Sequence, residues 1–509
     1  MPPASTLPVY ADTIVVGGGT SGAAVAGTIA GRTEESVLLL EAGPDYGAFE
    51  DGNWPADLLD ASDLAETHAW GYDSGDRYGD RKIVFERARV IGGCSSHNGC
   101  AAIWGHRADY DGWAAAGNAG WSTDDLIPFF ESADSHLRVR TPASGEITPY
   151  QQAMLDAAPA VGIPLVENLN NLDESVGMAP SPSNIWNGIR WNAAFAYLDP
   201  VRAKPNLTIH GNVLTDRLII EGCRITGVHV IGPDGPATIR AGRVVVSGGT
   251  YGSPAILLRS GIGSADALAR AGITLLHELP GVGQNLHDHS AAYLQFTGSD
   301  LLRERMAIFG LNNWMPEEQT IAKIRSSFCN EAFDLHIYPA GAPYGDGPDP
   351  WFFIMPIACM TPRSRGQLSV RSADPTATPV FDHGYLTDPD RYDIGVLADG
   401  IEIGRDIANQ SALTALLGDE FAPGPGVKRR KEIEAWLTDV VVHYYHPVGT
   451  CKMGPTTDPT AVVDARGKIH GLEGGYVADC SMMPVIPRAN TNVPAAVVGE
   501  RIGNWLAGS

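Results

Sequence analysis

Long apolar runs are missing from this chain. No stretch of about 18 uninterrupted apolar residues occurs, so no membrane span is expected. The opening residues Met1-Pro2-Pro3-Ala4-Ser5-Thr6 lack the basic region and apolar core of an export signal. Basic residues are scarce too, with 36 Lys and Arg against 59 Asp and Glu and a net charge of −23. Such a surface repels a phosphate backbone, so nucleic acid is not an expected partner. Solubility is the simpler reading of that charge; attraction for a cationic substrate is the second. Cysteine is sparse and odd in number, with seven in 509 residues at spacings that match no zinc site. These cysteines read as reduced thiols of a cytoplasmic protein, and no metal is expected. Repeats and low-complexity segments are absent as well.

What is present is an ordinary globular composition, 44% apolar and 19% charged, long enough for two or three domains. The most local signal is a dinucleotide fingerprint. Thr13-Ile14-Val15-Val16 reads as a buried parallel strand and runs straight into Gly17-Gly18-Gly19-Thr20-Ser21-Gly22. Gly17 suits a tight turn, Gly19 lets backbone N–H groups approach a pyrophosphate, and Gly22 lets the following helix pack on the strand. Thr20 and Ser21 sit at that helix N-terminus, where the helix dipole favours a phosphate. A second apolar run, Val37–Leu40, ends at Glu41, where an acceptor for a ribose hydroxyl belongs.

Further along, Leu207–His210, Leu218–Ile220 and Ile225–Val230 read as short antiparallel strands, and Arg243–Val246 as a second buried strand leading to glycines. The segment from about 291 to 442 is less regular. Gly475–Val477 and a helix from about Val493 to Leu506 then restore the strand–turn–helix pattern. An inserted substrate domain accounts for this order. The expected nucleotide domain comprises residues 1–155, 198–290 and 443–509; the expected substrate domain comprises 156–197 and 291–442.

Five motifs in order carry a resemblance. They are Ala88–Asn98 continuing to Asp111, Gly249–Gly263, Pro280–His289, Tyr445–Gly454 and Asn490–Pro494. With them the chain resembles the glucose–methanol–choline (GMC) oxidoreductases over nearly its full length, and is most similar to their choline oxidase-like members. The resemblance implies an α/β fold, with a Rossmann-like FAD-binding domain and an interleaved α+β substrate domain on an antiparallel sheet. It implies FAD as cofactor, held by the fingerprint and by Arg89, Gly92, Gly93, Ser95, His97, Asn98 and Gly99. Cys94 and His97 depart from the general signature and match choline oxidase-like members, which makes His97 a covalent flavin ligand by resemblance. Val213 is expected near the adenine, Asp479 near the ribityl or phosphate region, and Asn492 at the flavin ring or as a helix cap. A homodimer is also a family implication.

His446 is the expected catalytic base. Alcohol oxidation by hydride transfer needs the hydroxyl proton removed, and imidazole is partly neutral near physiological pH. Asn490 is its expected partner, able to donate to or accept from the substrate hydroxyl; His443 reads as structural. The implied reaction converts a primary alcohol to its aldehyde with hydride passing to flavin N5. Oxygen is the expected acceptor and another electron acceptor the alternative; a flavin-containing hydroxynitrile lyase is a distant one. Tyr445, Phe353 and Trp351 are the candidate substrate-pocket aromatics, and Glu304 the candidate carboxylate for a cationic group. The arginines beside Glu304 weaken a cation site, so the expected substrate is an aromatic or heteroaromatic primary alcohol, with choline as competitor.

Overall fold

The computed structural model describes residues 7–78, 81–343 and 351–508; Met1–Thr6, on which the export-signal reading rests, lie outside the described residues. The strand Tyr10–Val16 forms the centre of the first sheet. Its buried β-branched run pairs in parallel with Val37–Leu40 on one side and with the end of Gly235–Val246 on the other. The sheet order is Leu207–His210, Val37–Leu40, Tyr10–Val16, Gly235–Val246, Arg224–Gly232, Leu214–Glu221. Gly475–Val477 joins in parallel where Gly235–Val246 outruns its antiparallel neighbour. Leu207–His210 corrects the expectation of an antiparallel strand: it runs parallel to Val37–Leu40, at the sheet edge.

The helix Thr20–Arg32 covers this sheet and is itself covered by Asn492–Leu506. Small residues make that approach possible. A Cβ on Gly499 would lie 2.4 Å from the Ser21 carbonyl oxygen, and one on Gly503 would lie 2.9 Å from Thr28 Cβ. Ser21 Oγ donates to the Ala495 carbonyl at 2.7 Å. The first and last helices are thereby locked together.

The second sheet is antiparallel, ordered Leu417–Ala422, Ser290–Gly298, Phe352–Cys359, Leu335–Ile337, Thr320–Ile324, Gly177–Pro180. Helix Tyr392–Ala408 packs on one face, where Gly400 meets Ile357. Strand alternation sorts Phe353, Met355 and Ile357 to this helical side. Ile354 and Ala358 belong to a separate cluster on the other face, with Phe333, Tyr338, Tyr444 and Ala489.

That alternation corrects two expected substrate contacts. Phe353 is wholly buried against Tyr150 on the helical side, ring centroids 5.6 Å apart, and Trp351 stacks on Phe353 at 5.8 Å and 7°. Both belong to the core behind the sheet. Phe353→Ala should therefore cost about 3–5 kcal/mol of stability in urea unfolding, without changing substrate preference among the molecules that remain folded.

Candidate active site

The glycine turn is built for close approach. Gly17 has φ of +96°, and a Cβ there would lie 2.4 Å from the Ser247 carbonyl oxygen. A Cβ on Gly22 would sit 1.9 Å from the Gly17 oxygen, so only hydrogen lets the helix start this close to the strand. Glu41 turns its two oxygens to the Gly18 and Gly43 N–H groups, each at 2.8 Å. Burial nevertheless pushes its carboxyl up to about 7. Val213 is buried beside it, its N–H donating to the Glu41 carbonyl at 2.8 Å. Thr20 Oγ1 reaches Asn492 Oδ1 at 3.4 Å. These groups together form a cradle suited to a dinucleotide.

The 92–100 loop closes over this cradle. Gly92 N–H donates to the Gly18 carbonyl at 2.7 Å, and a Cβ on Gly93 would lie 2.5 Å from Gly19 Cα. Ser95 braces the loop, its Oγ donating to the Gly92 carbonyl at 2.6 Å and accepting from Ala193 N–H at 2.9 Å. Asn98 Oδ1 accepts from Cys100 N–H at 3.2 Å. Arg89 lies on the exposed rim, its Nε donating to the Ala42 carbonyl at 3.2 Å and its guanidinium over Trp70. His97 is buried, and its Nε2 has no hydrogen-bond partner among the described residues. Burial, helped by the Arg190 charge, holds its pKa down to about 4, so the ring is neutral. Asp479 is already well used: it accepts from Gly249 N–H at 2.8 Å, Ser253 Oγ at 2.5 Å and Ser481 N–H at 2.8 Å.

His446 is buried at the opposite end of the site. Its Nδ1 lies 3.0 Å from His289 Nδ1, and the Tyr444 ring stands edge-on at 4.9 Å. Burial, with the nearby His289 and Arg87, keeps its pKa well below the ordinary histidine value. His443 Nε2 donates to the Val84 carbonyl at 2.8 Å, a structural position. Asn490 Nδ2 donates to Glu318 at 2.9 Å, while its Oδ1 is buried without a partner among the described residues. Tyr445 carries φ of +67°, and its ring stands edge-on to His443 at 4.3 Å.

Glu317 and Glu318 are residues the sequence reading missed. They lie between Asn490 and a group of tyrosines. Tyr338 donates to Glu317 at 3.2 Å, and its ring lies 6.1 Å from that of Tyr444. A Cβ on Gly99 would lie 3.7 Å from Glu317 Oε2, which brings the His97 loop to the same place. Burial and the adjacent Glu317 push Glu318 up to about 8. Glu304, the expected carboxylate, is instead exposed on the helix Asp300–Gly310. The sequence does hold a signal for this buried pair: two adjacent acids one residue before the fully buried strand Thr320–Ile324. A small pocket bounded by Arg140, Glu146, Trp314 and Glu318 lies beside the pair.

Two family profiles match the chain, both described as GMC oxidoreductase, over residues 11–291 and 362–499. The chain belongs to the GMC oxidoreductase family. It is 32% identical to the oxygen-dependent choline dehydrogenase of Brucella anthropi, covering 98% of this chain and 96% of that one. It is 31% identical to the Sinorhizobium medicae protein of the same description, with the same coverage of each chain. Among solved structures it is similar to pyridoxine 4-oxidase from Mesorbium loti, with a TM-score of 0.86, 26% identity, and 97% and 99% of the two chains covered. A fungal aryl-alcohol oxidase shares the fold, with a TM-score of 0.80, 21% identity, and 98% and 99% covered. No helix among the described residues is long and apolar enough to cross a membrane.

The electrostatics of this GMC site generate a pH prediction. Glu318 is raised from 4.5 to about 8, so between those values the unfolded chain ionises it while the folded chain resists. Its contribution to stability is therefore lost as pH rises toward about 8. Glu318→Gln removes this penalty, so its thermal midpoint should gain on the wild type progressively from pH 5 to about 8 in ligand-free protein. A constant gap across that range would refute the assignment.

Proposed function

We propose that the protein oxidises the CH–OH group of a primary alcohol that carries a cationic head, with FAD as the hydride-accepting cofactor. One observation carries this reading: a buried neutral histidine and a buried asparagine with a free acceptor are joined through the adjacent Glu318 and Glu317, then Tyr338 and Tyr444, beside the loop of His97. His446 Nε2 takes the hydroxyl proton. For that nitrogen to be free, Nδ1 carries the ring hydrogen and donates to His289 Nδ1. Asn490 Oδ1 accepts from the substrate hydroxyl and orients it toward the base. The cradle around Gly17–Gly22, Glu41 and Val213 would hold the dinucleotide, and His97 Nε2 is the atom suited to a covalent tether.

The substrate class follows from the buried acids. Two buried carboxyls among Tyr293, Tyr338, Tyr444 and Tyr445, which a bound cation would bring to their ionised form, match a quaternary or protonated amine better than a neutral aromatic alcohol. The choline dehydrogenase relatives point the same way, which moves the reading from a neutral aromatic alcohol to a choline-like one. Dioxygen is the proposed acceptor, in keeping with the names of the relatives. Tyr444 favours a second reading, a dehydrogenase with another acceptor, because its ring fills space 4.9 Å from the base.

An alcohol panel assayed in parallel with oxygen and an artificial dye tests both substrate and acceptor. Choline should exceed its neutral isostere 3,3-dimethylbutan-1-ol in kcat/KM by at least about tenfold, and Glu318→Gln should erase most of that preference. A flavin that no alcohol bleaches anaerobically would end the proposal. His446→Ala should lower kcat by about 10²–10⁴ with flavin retained. After acid precipitation the yellow colour should stay with the protein pellet and pass to the supernatant in His97→Asn.

A further inference from the structure

The peptide bond that enters the base is gripped at both ends. Its carbonyl oxygen, on Tyr445, accepts from Arg87 Nη1 at 3.1 Å. Its N–H, on His446, donates to Asp288 Oδ1 at 2.9 Å. Tyr445 holds φ of +67°, a conformation unfavourable for a bulky side chain and one that relaxes unless its surroundings enforce it. We propose that Arg87 and Asp288 are positioning residues: they clamp the Tyr445–His446 peptide in its left-handed turn and so aim the imidazole of His446. The proposal rests on His446 acting as the base.

The clamp is itself anchored. Asp288 is buried, and its Oδ2 accepts from Tyr385 at 3.4 Å. The residues on either side of it grip the same loop. His287 exchanges backbone hydrogen bonds with Val448, at 3.3 and 2.9 Å, and the His289 ring meets the His446 ring at 3.0 Å. His287 also accepts from Ile486 N–H at 3.0 Å through Nε2, in the loop that leads to Asn490. Arg87 approaches Cys94 Sγ at 3.9 Å, in the loop that carries His97. Arg87 therefore connects the base to the loop of His97, and His287, next to Asp288, connects the same segment to the loop of Asn490. A left-handed tyrosine moves its neighbour's side chain when it relaxes, because φ rotation swings the whole following peptide.

The test is a double-mutant cycle on the flavin-loaded enzyme. Asp288→Leu removes the acceptor at similar volume, Asp288→Asn keeps an acceptor oxygen, and Arg87→Met removes the donor. Arg87→Met and Asp288→Leu should each lower kcat by about 10²-fold, with KM within about twofold and flavin content unchanged. Asp288→Asn should recover much of the loss. Glycine adopts the left-handed turn unaided, so in a Tyr445→Gly background the loss from Arg87→Met should shrink by at least about threefold. Equal losses in both backgrounds, or losses confined to KM or flavin content, would overturn the clamp. If Asp288→Leu does not fold, the Arg87→Met cycle decides alone. An inactive wild type would instead sink the alcohol reading, so the two failures are distinguishable.

Discussion

The close approach of the first and last helices is the constraint on which the site depends. Gly499 and Gly503 face Ser21 and Thr28 without side chains, so the helix axes come near enough for Ser21 Oγ to reach a carbonyl of the other helix. That contact joins residues 474 positions apart in sequence. It sets Asn492 beside Thr20, and with it the loop of Asn490 that leads into the terminal helix. A larger residue at either glycine would push the loop of Asn490 away from the cradle around Gly17–Gly22. The energy involved is ordinary packing, but its leverage on geometry is large.

Burial then gives the site its chemistry. Removing water disfavours charge, so His97, His289 and His446 are neutral imidazoles, while Glu41, Asp288 and Glu318 hold their protons more tightly than free carboxyls. The same desolvation makes orphaned atoms costly. His97 Nε2 and Asn490 Oδ1 are both buried without protein partners among the described residues. Such atoms persist where a ligand is meant to complete them. Among these unpartnered atoms, one lies on the loop of His97 and the other beside Glu318.

Local signals were read well where the physics is local. The fingerprint strand, turn, helix and following acid occupy adjacent positions, and each glycine answers to a steric contact within the same unit. The expected helix from about Val493 to Leu506 forms as Asn492–Leu506. Pairing partners were harder. Leu207–His210 has the composition of a hairpin strand, yet its partner is Val37–Leu40, far upstream, and so it runs parallel. Phe353 and Ile354 are neighbours of similar hydrophobicity; which of them faces the substrate side depends on the register of the whole sheet. Glu304 and Glu318 are both acids near the same helix–strand boundary, and only the packing of Thr320–Ile324 buries the second.

The sequence by itself determined the glycine-rich turn of the cradle and the two buried parallel strands, because short-range sterics and side-chain chemistry suffice for these. Tertiary structure alone decided which carboxyls are buried beside Asn490, which aromatic rings pack behind the second sheet, and how the peptide before His446 is held. Those depend on sheet register and on contacts between segments hundreds of residues apart, such as Arg87 with Tyr445 and Asp288 with His446. No local pattern encodes a partner at that distance, since folding, not adjacency, brings the two charges to one peptide bond.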